Sequence, residues 1–285
     1  MNYNKKYLRV KEKIKIMKTS ELNELEEYIT NRFKPQPENA SYDDSFLSKW
    51  REYIGMKSLL SEADILNEYV VYRHPVTFRE PENITIEIYN SAAGDVPVIT
   101  LGNSSDFEDF IVNLIYKGSR PGNISQMGAS FVYGKTQRFL VLSKKYYSNT
   151  EPEYVGLSPE EWREKSMIIR REHECTHYYT KRFYGSASNN LHDELIADFM
   201  GIYAAFGYYE AKLFCHFMGI DGAKEGRLSL YTANLSHDVR KEIAVLAYRC
   251  SEYLEAFSKS KSFAEMDKAS RINYLCETSI KDMSM

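Results

Sequence analysis

The sequence predicts an α+β fold in which a β-sheet region comes first and a helical region follows. From about residue 69, apolar and polar residues alternate in short runs that are separated by Pro, Asn and Gly, which is typical of strands. After Pro152 the apolar residues recur at helical spacing throughout. Strands that precede the helices, instead of alternating with them, are typical of the α+β class.

Composition and charge exclude several classes of protein. The chain has 285 residues, of which 43% are hydrophobic, and a formal net charge of −3, so it has enough apolar residues for a core and no overall attraction to nucleic acid or to an anionic membrane. The longest apolar candidate, residues 196–208, is shorter than the ~20 residues that a membrane helix needs and contains Asp198. The basic start lacks the apolar stretch of a secretory signal, and the four cysteines are widely spaced. We therefore expect a cytoplasmic protein with no membrane contact.

Residues 1–65 are predicted to form an N-terminal helical region with a linker near 34–44. The linker contains two prolines and many polar residues. The first 18 residues are strongly basic, which we interpret as a solvated edge. The alternative is a nucleic-acid contact through residues 1–18, and its binding would weaken steeply with salt.

The sheet-containing subdomain is predicted over residues 66–185. The runs VVYRHPVTFRE, NITIEIYN and VPVITLG predict three strands, and GASFVYG and QRFLVLS predict a hairpin. Between them, residues 105–117 predict a helix that begins with a capping box formed by Ser105 and Glu108. A helical C-terminal subdomain is predicted over residues 186–285.

One long helix closes the sheet-containing subdomain. Ser158 is its predicted N-cap, Pro159 occupies the first helical position, and Glu161 completes a capping box. Gly185 is the predicted left-handed stop.

Within this helix His173, Glu174 and His177 form an HExxH motif. Two histidines four residues apart lie on one helix face, about 6 Å apart along the axis, so both rings can reach one ion at about 2.0 to 2.1 Å. Glu174 is rotated by about 100° from His173, which places its carboxylate beside the ion. There it would act as a general base on a metal-activated water.

A third ligand is predicted on the next helix, which starts near Asn190. Glu194 and Asp198 are four residues apart on it, and the small residues Ala197, Gly201 and Ala205 continue the same stripe and would allow close approach to the first helix. We assign Glu194 to the metal. Asp198 is predicted to hold the free ring nitrogen of a ligating histidine, which we expect to be His173.

HExxH on one helix followed by ExxxD on the next resembles the gluzincin branch of the zincin metallopeptidases, over residues 128–205. The string HECTHYYTKRFYGSASNNLHDELIADFMGI also resembles an uncharacterised group of bacterial proteins. The metzincin pattern does not fit, because it needs Gly and His where this chain has Thr180 and Phe183. The gluzincin resemblance implies a zincin-like fold, with a mixed sheet whose edge strand, here residues 128–133, binds extended peptide.

The resemblance also implies a downstream Tyr or His that stabilises the oxyanion. The candidates are Tyr231 and His237, with Arg227 as a third possibility, and their spacing does not choose between them. His192 and Asp193 flank the proposed ligand but are predicted to face away from the stripe of Asp198.

The sequence thus predicts a zinc-dependent hydrolase that acts on a peptide or protein substrate. Zn²⁺ would be bound by His173, His177 and Glu194, with Glu174 as general base. The alternative is a non-catalytic, zinc-stabilised binding or regulatory module. Glu174 favours the enzyme, because a purely structural site has no use for a base beside an open coordination position.

Overall fold

A computed structural model describes residues 17–37, 42–71, 74–134, 137–185, 190–222 and 226–285. It shows a mixed α+β architecture. Most of the basic N-terminal segment, and residues 135–136 and 186–189, lie outside the described residues.

A four-stranded mixed sheet forms the first part of the molecule. Its strands are β1 (Ile84–Ser91), β2 (Gly94–Leu101), β3 (Ala129–Tyr133) and β4 (Arg138–Ser143), in the order β1-β2-β4-β3. The pairs β1–β2 and β3–β4 are antiparallel, whereas β2 and β4 are parallel. Strand β3 is therefore at one edge of the sheet.

Helices precede, interrupt and follow the sheet. Up to β3 they are α1 (Thr19–Ile29), α2 (Phe46–Gly55), α3 (Glu62–Ile65), which continues as a π-helical turn (Leu66–Val70), and α4 (Ser104–Leu114). After β4 they are α5 (Pro152–Val155), α6 (Pro159–Tyr184), α7 (Leu191–Phe206), α8 (Ala211–Met218), α9 (Leu228–Thr232), α10 (His237–Ser258), α11 (Lys261–Glu265), α12 (Lys268–Glu277) and α13 (Ile280–Met283). Short 3₁₀ turns occur at Met56–Ser58, Pro81–Asn83, Ile124–Gln126 and Tyr147–Asn149. No helix within the described ranges is both long and apolar enough to span a membrane.

The sheet separates two hydrophobic cores because side chains alternate along each strand. In β4, Leu140 and Leu142 pack into the core shared with α6 and α7, whereas Phe139 and Val141 pack into the core shared with α2 to α4. Trp50 of α2 contacts Phe139, with ring centroids 5.0 Å apart. Helices of residues 46–70 thus cover the face of the sheet that α6 does not.

The first of the three predicted strands is wrong in its described part. Residues 74–80 contain no strand, because side chains, instead of a neighbouring strand, form hydrogen bonds with their backbone groups. The Asn67 amide donates to the carbonyl of Val76 (3.0 Å) and accepts from its N–H (2.7 Å). The carboxylate of Asp106 accepts from the backbone N–H groups of Arg79 and Glu80. The predicted second and third strands form β1 and β2, and the predicted hairpin forms β3 and β4.

The predicted capping box of Ser105 and Glu108 is also wrong. Helix α4 is capped by Asn103, whose Oδ1 accepts from the N–H groups of Ser105 (2.8 Å) and Asp106 (3.2 Å). The Glu108 carboxylate instead accepts from Nζ of Lys145 at 2.8 Å. An Asn two residues before the predicted cap thus satisfies the free N–H groups of the first turn.

The predicted ends of α6 are confirmed. Oγ of Ser158 accepts from the N–H of Glu161 (3.3 Å), while Oε2 of Glu161 accepts from the N–H of Ser158 (3.0 Å). Gly185 ends the helix with a φ of 73°, a left-handed conformation that glycine adopts without strain. Helix α7 likewise begins after Asn190, whose Oδ1 accepts from the N–H of Asp193.

Helices α6 and α7 pack at backbone contact. A Cβ on Gly201 of α7 would lie 2.6 Å from the carbonyl oxygen of Ile169 on α6, so this position requires glycine. The two helices are antiparallel, because His173 faces Asp198 whereas His177 faces Asp193. Their contact surface positions the candidate site.

Candidate metal centre

A cleft of ≈ 590 Å³ opens beside the N-terminal end of the edge strand β3 and the α6–α7 pair. Its wall includes Gly128 and Ala129 of the sheet edge, Glu174 of α6 and Tyr231 of α9. The two histidines of HExxH and Glu194 form part of the same wall. The cleft therefore connects the motif with solvent and with the sheet edge.

His173, His177 and Glu194 each direct one atom to a common point, and these atoms all lie within 4.8 Å of one another. The two Nε2 atoms are 2.9 Å apart. Oε1 of Glu194 is 3.4 Å from Nε2 of His177, and Oε2 is 3.7 Å from Nε2 of His173. All three side chains are at most 12% exposed.

A buried carboxylate lies behind each imidazole. Oδ1 of Asp198 is 2.8 Å from Nδ1 of His173, and Oδ2 of Asp193 is 3.1 Å from Nδ1 of His177. Ionised carboxylates only accept hydrogen bonds, so Asp198 holds the proton of His173 on Nδ1. Nδ1 of His177 lies at ion-pair distance from Asp193 but has no hydrogen-bond partner of good geometry among the described residues. The two Nε2 atoms are so close that a proton or a metal cation between them is favourable.

The electrostatics of the cluster favour a cation at this point. Burial opposes protonation of His177, but the carboxylates of Asp193 and Glu194 outweigh it and raise the pKa of His177 well above its ordinary value. Burial likewise opposes ionisation of Glu194, yet both histidines and Arg227 lower the pKa of Glu194 to about 2. The site thus attracts positive charge.

The donor set also fits a small divalent ion. Oε2 of Glu194 is buried and has no hydrogen-bond partner among the described residues. Tetrahedral Zn²⁺ with bonds of about 2.0 to 2.2 Å separates its ligand atoms by roughly 3.3 to 3.5 Å. The separation of the two nitrogens, 2.9 Å, and those of 3.4 and 3.7 Å between a nitrogen and the nearer of the two Glu194 oxygens lie close to that range. Two nitrogens and one carboxylate oxygen with an open side toward the cleft are typical of a catalytic zinc site.

The sequence analysis missed a network behind Asp198. Oη of Tyr147 donates to Oδ1 of Asp198 at 2.6 Å, and the Arg227 guanidinium donates both to Oδ2 of Asp198 and to Oη of Tyr147. Burial raises the pKa of Asp198, but Arg227 and His173 lower it further, to well below its usual range. Arg227, one of three oxyanion candidates, thus contacts the carboxylate that orients His173.

Two features place Tyr147. It begins a turn in which Ser148 and Asn149 both have positive φ, at 51° and 50°, a conformation that is uncommon outside glycine and that Asn adopts more readily than Ser. The buried Arg170 of α6 donates to the carbonyl of Lys145 (3.0 Å) and so ties the segment after β4 to the motif helix. A Cβ on Gly128, just before the edge strand, would lie 2.7 Å from Nε of Arg170, so a larger residue there would require the Arg170 side chain to move.

The expectation that Asp193 faces away from the site is wrong. Asp193 is fully buried against α6, where Oδ1 also accepts from Oγ1 of Thr180 at 3.3 Å. The expectation counted only residues four apart from Asp198 as facing α6. The face of α7 that α6 covers is wider than this single line of residues and includes Asp193. His192 does point elsewhere: its Nε2 lies 3.0 Å from the carbonyl oxygen of Leu275.

The remaining predicted residues separate into two groups. Glu174 is half-buried in the cleft wall, and Tyr231 lines the same cleft. Burial and the neighbouring carboxylate of Glu194 raise the pKa of Tyr231, so its hydroxyl stays protonated. His237 is exposed at the first residue of α10 and is not among the residues that line the cleft.

Together the fold and the cluster define an α+β protein with a candidate metal centre between two antiparallel helices. The chain belongs to DUF7005, a family of unknown function, whose model matches residues 68–137 and 135–285. The matched part includes every residue of the candidate centre. No curated protein and no solved structure matches the chain.

Proposed function

We propose that this protein is a cytoplasmic, zinc-dependent hydrolase that cleaves peptide bonds, with a zincin-like arrangement of the gluzincin type. The observation that carries the proposal is the convergence of His173, His177 and Glu194 on one point of an open cleft, with Glu174 beside them. Four buried, free cysteines are consistent with a reducing compartment.

His173, His177 and Glu194 would hold the ion, and Asp198 and Asp193 would keep the two imidazoles in the tautomer that leaves Nε2 available. A bound zinc ion would supply Lewis-acid activation of water and of the substrate carbonyl. The Tyr147–Arg227 network would hold Asp198 ionised and in place.

Glu174 would accept the proton of the attacking water and deliver it to the leaving amine. Its half-buried position in the cleft wall gives it access to solvent and to substrate. Tyr231, as a protonated phenol in the same cleft, would donate a hydrogen bond to the carbonyl oxygen of the substrate, which becomes the oxyanion when water attacks the carbonyl carbon.

The sheet edge offers a binding surface for the substrate backbone. Strand β3 pairs with β4 on one side only, and Ala129 at its start lines the cleft together with Gly128. An extended peptide could therefore add to the sheet as a further strand and reach the metal centre.

Metal analysis of the purified protein tests the site. We expect about one zinc per chain in the wild type, loss of zinc in His177→Ala, and retention in His237→Ala, which removes an exposed histidine outside the cleft. A folded wild-type protein that binds no zinc would contradict the proposal.

Cleavage of an unbiased peptide library, with added zinc, tests the activity. Glu174→Gln should keep the metal and lose turnover, whereas Glu164→Gln, an exposed glutamate of the same helix, should behave as wild type. If zinc is bound but wild type and Glu174→Gln give the same products, the proposal of a hydrolase is wrong. The non-catalytic zinc-stabilised binding module would then be favoured.

A further inference from the structure

The N-terminal helix α1 contacts the rim of the cleft, although residues 17–37 precede the part of the chain that the family model matches. Oη of Tyr28 donates to the carbonyl oxygen of Tyr231 at 3.3 Å. Oη of Tyr28 also accepts a hydrogen bond from the backbone N–H of Leu191 at 3.2 Å. One phenol thus joins the element that carries Tyr231 to the start of the helix that carries Glu194.

A second contact lies one turn earlier on the same face of α1. Oε1 of Glu24 accepts from the backbone N–H of Ser236 at 2.9 Å. Residues 24 and 28 are four apart and therefore neighbours on the helix surface. Together they bind both ends of the segment 231–236, which leads from the cleft to α10.

The rest of the N-terminal segment is fastened to the C-terminal helices. The Asn31 amide donates to the carbonyl of Cys276 at 2.8 Å, and the N–H of Gln36 donates to the carbonyl of Phe183 at 2.7 Å. Phe33 is buried and packs edge-on against the ring of His192, with centroids 4.9 Å apart. Because the chain after Tyr28 is anchored by these contacts, the hydroxyl of Tyr28 is held in place beside the cleft rim.

We propose that Tyr28 is a positioning residue for the proposed reaction, which sets the place of the Tyr231 phenol relative to Glu194. The inference rests on the proposed function. Leu191 stands three residues before Glu194 on α7, so the hydroxyl of Tyr28 couples the proposed oxyanion donor to a proposed metal ligand through two backbone groups. Displacements near 1 Å at such a donor can cost roughly 100-fold in rate.

Tyr28→Phe removes the coupling hydroxyl and keeps the ring. We expect kcat to fall about tenfold and KM to stay within about twofold, because Tyr231 acts on the oxyanion and not on the ground state. Zinc content should be that of the wild type. Tyr253→Phe is the matched control, since it removes another half-buried hydroxyl contact of the helical region, to Oη of Tyr274 at 2.7 Å, and should leave kcat unchanged.

The double variant Tyr28→Phe/Tyr231→Phe distinguishes positioning from a general loss of stability. If Tyr28 acts through Tyr231, the double variant should have the kcat of Tyr231→Phe alone. A tenfold loss that multiplies with that of Tyr231→Phe, or a Tyr28→Phe protein with wild-type kcat, would overturn the inference.

A spectroscopic measurement keeps the inference testable if the wild type cleaves nothing and the proposed function fails. With 3-fluorotyrosine placed at position 231, Tyr28→Phe should shift or broaden the ¹⁹F resonance, and Tyr253→Phe should not. An unchanged resonance in Tyr28→Phe would show that Tyr28 does not position Tyr231, whatever the activity of the protein.

Discussion

Two buried glutamates on opposite sides of α6 have opposite surroundings. Glu172 faces β1 and α12: its Oε1 accepts from Oη of Tyr89, and its Oε2 accepts from Nζ of Lys268 at 2.9 Å. Glu194 faces α6 from α7, and its neighbours include two imidazole nitrogens at 3.4 and 3.7 Å and a guanidinium nitrogen at 3.6 Å. Their exposed fractions are nearly equal, 4% and 3%.

The difference separates a carboxylate with a donor on each oxygen from a carboxylate that lacks one. A buried carboxylate is stable only if donors or cations replace the water it loses. Glu172 has a donor on each oxygen and thereby links a strand to a C-terminal helix. Glu194 has an unpartnered Oε2, and the closest guanidinium nitrogen, of Arg227, is 3.6 Å away. Among the described residues each oxygen of Glu172 has a donor, whereas Oε2 of Glu194 has none, as the proposed zinc site requires.

The strongest test of this comparison is the effect of zinc on thermal stability. A ligand that binds only the folded state at 100 times its Kd adds about 2.7 kcal/mol, which corresponds to a rise in Tm of roughly 4 °C for a chain of this size. We expect this rise in the wild type and its reversal by a chelator. Differential scanning calorimetry should show no rise for Glu194→Gln and an undiminished rise for Glu172→Gln.

Equal zinc-dependent rises for the two variants would contradict the comparison. The absolute Tm of the metal-free variants does not enter this test, because each protein is compared with itself with and without zinc.

The carboxylates behind the histidines should have a smaller effect. Asp198→Asn and Asp193→Asn each leave the imidazoles without a fixed tautomer, which typically weakens metal affinity by about 10- to 100-fold. Competition with a chromophoric chelator measures this affinity. Asp106→Asn is the control, since Asp106 is equally buried but binds the backbone of Arg79 on the sheet side. Wild-type affinity in both site variants would show that neither carboxylate supports a metal ligand.

The parts of this molecule that could be predicted from sequence are those with local causes. The boundaries of α6 follow from Ser158, Glu161 and Gly185, because capping and the left-handed stop depend only on residues close by in the sequence. The motif HExxH is equally local, because helical periodicity alone places His173 and His177 on one face. The β3–β4 hairpin also joins neighbouring segments.

The missed features depend on residues distant in sequence. Asp193 could be placed only by knowing which face of α7 meets α6, and Tyr147 reaches Asp198 from a turn 51 residues away. The false strand at 74–80 has strand-like composition, but Asn67 and Asp106 occupy its backbone groups. In each case the local structure depends on a contact with a residue distant in sequence, and the local sequence pattern does not predict that contact.

The smallest expected effect concerns Glu172, which has a donor on each oxygen. Lys268 is 40% exposed, so its ion pair with Glu172 is partly screened by solvent, and Lys268→Gln should lower the free energy of unfolding by only about 0.5 to 1 kcal/mol. Urea denaturation of the metal-free protein measures this change. Zinc affinity and kcat should be unaffected, because Glu172 belongs to the side of α6 that faces away from α7. A loss of zinc in Lys268→Gln would show that the two sides of the helix are coupled, and the distinction between the two glutamates would then fail.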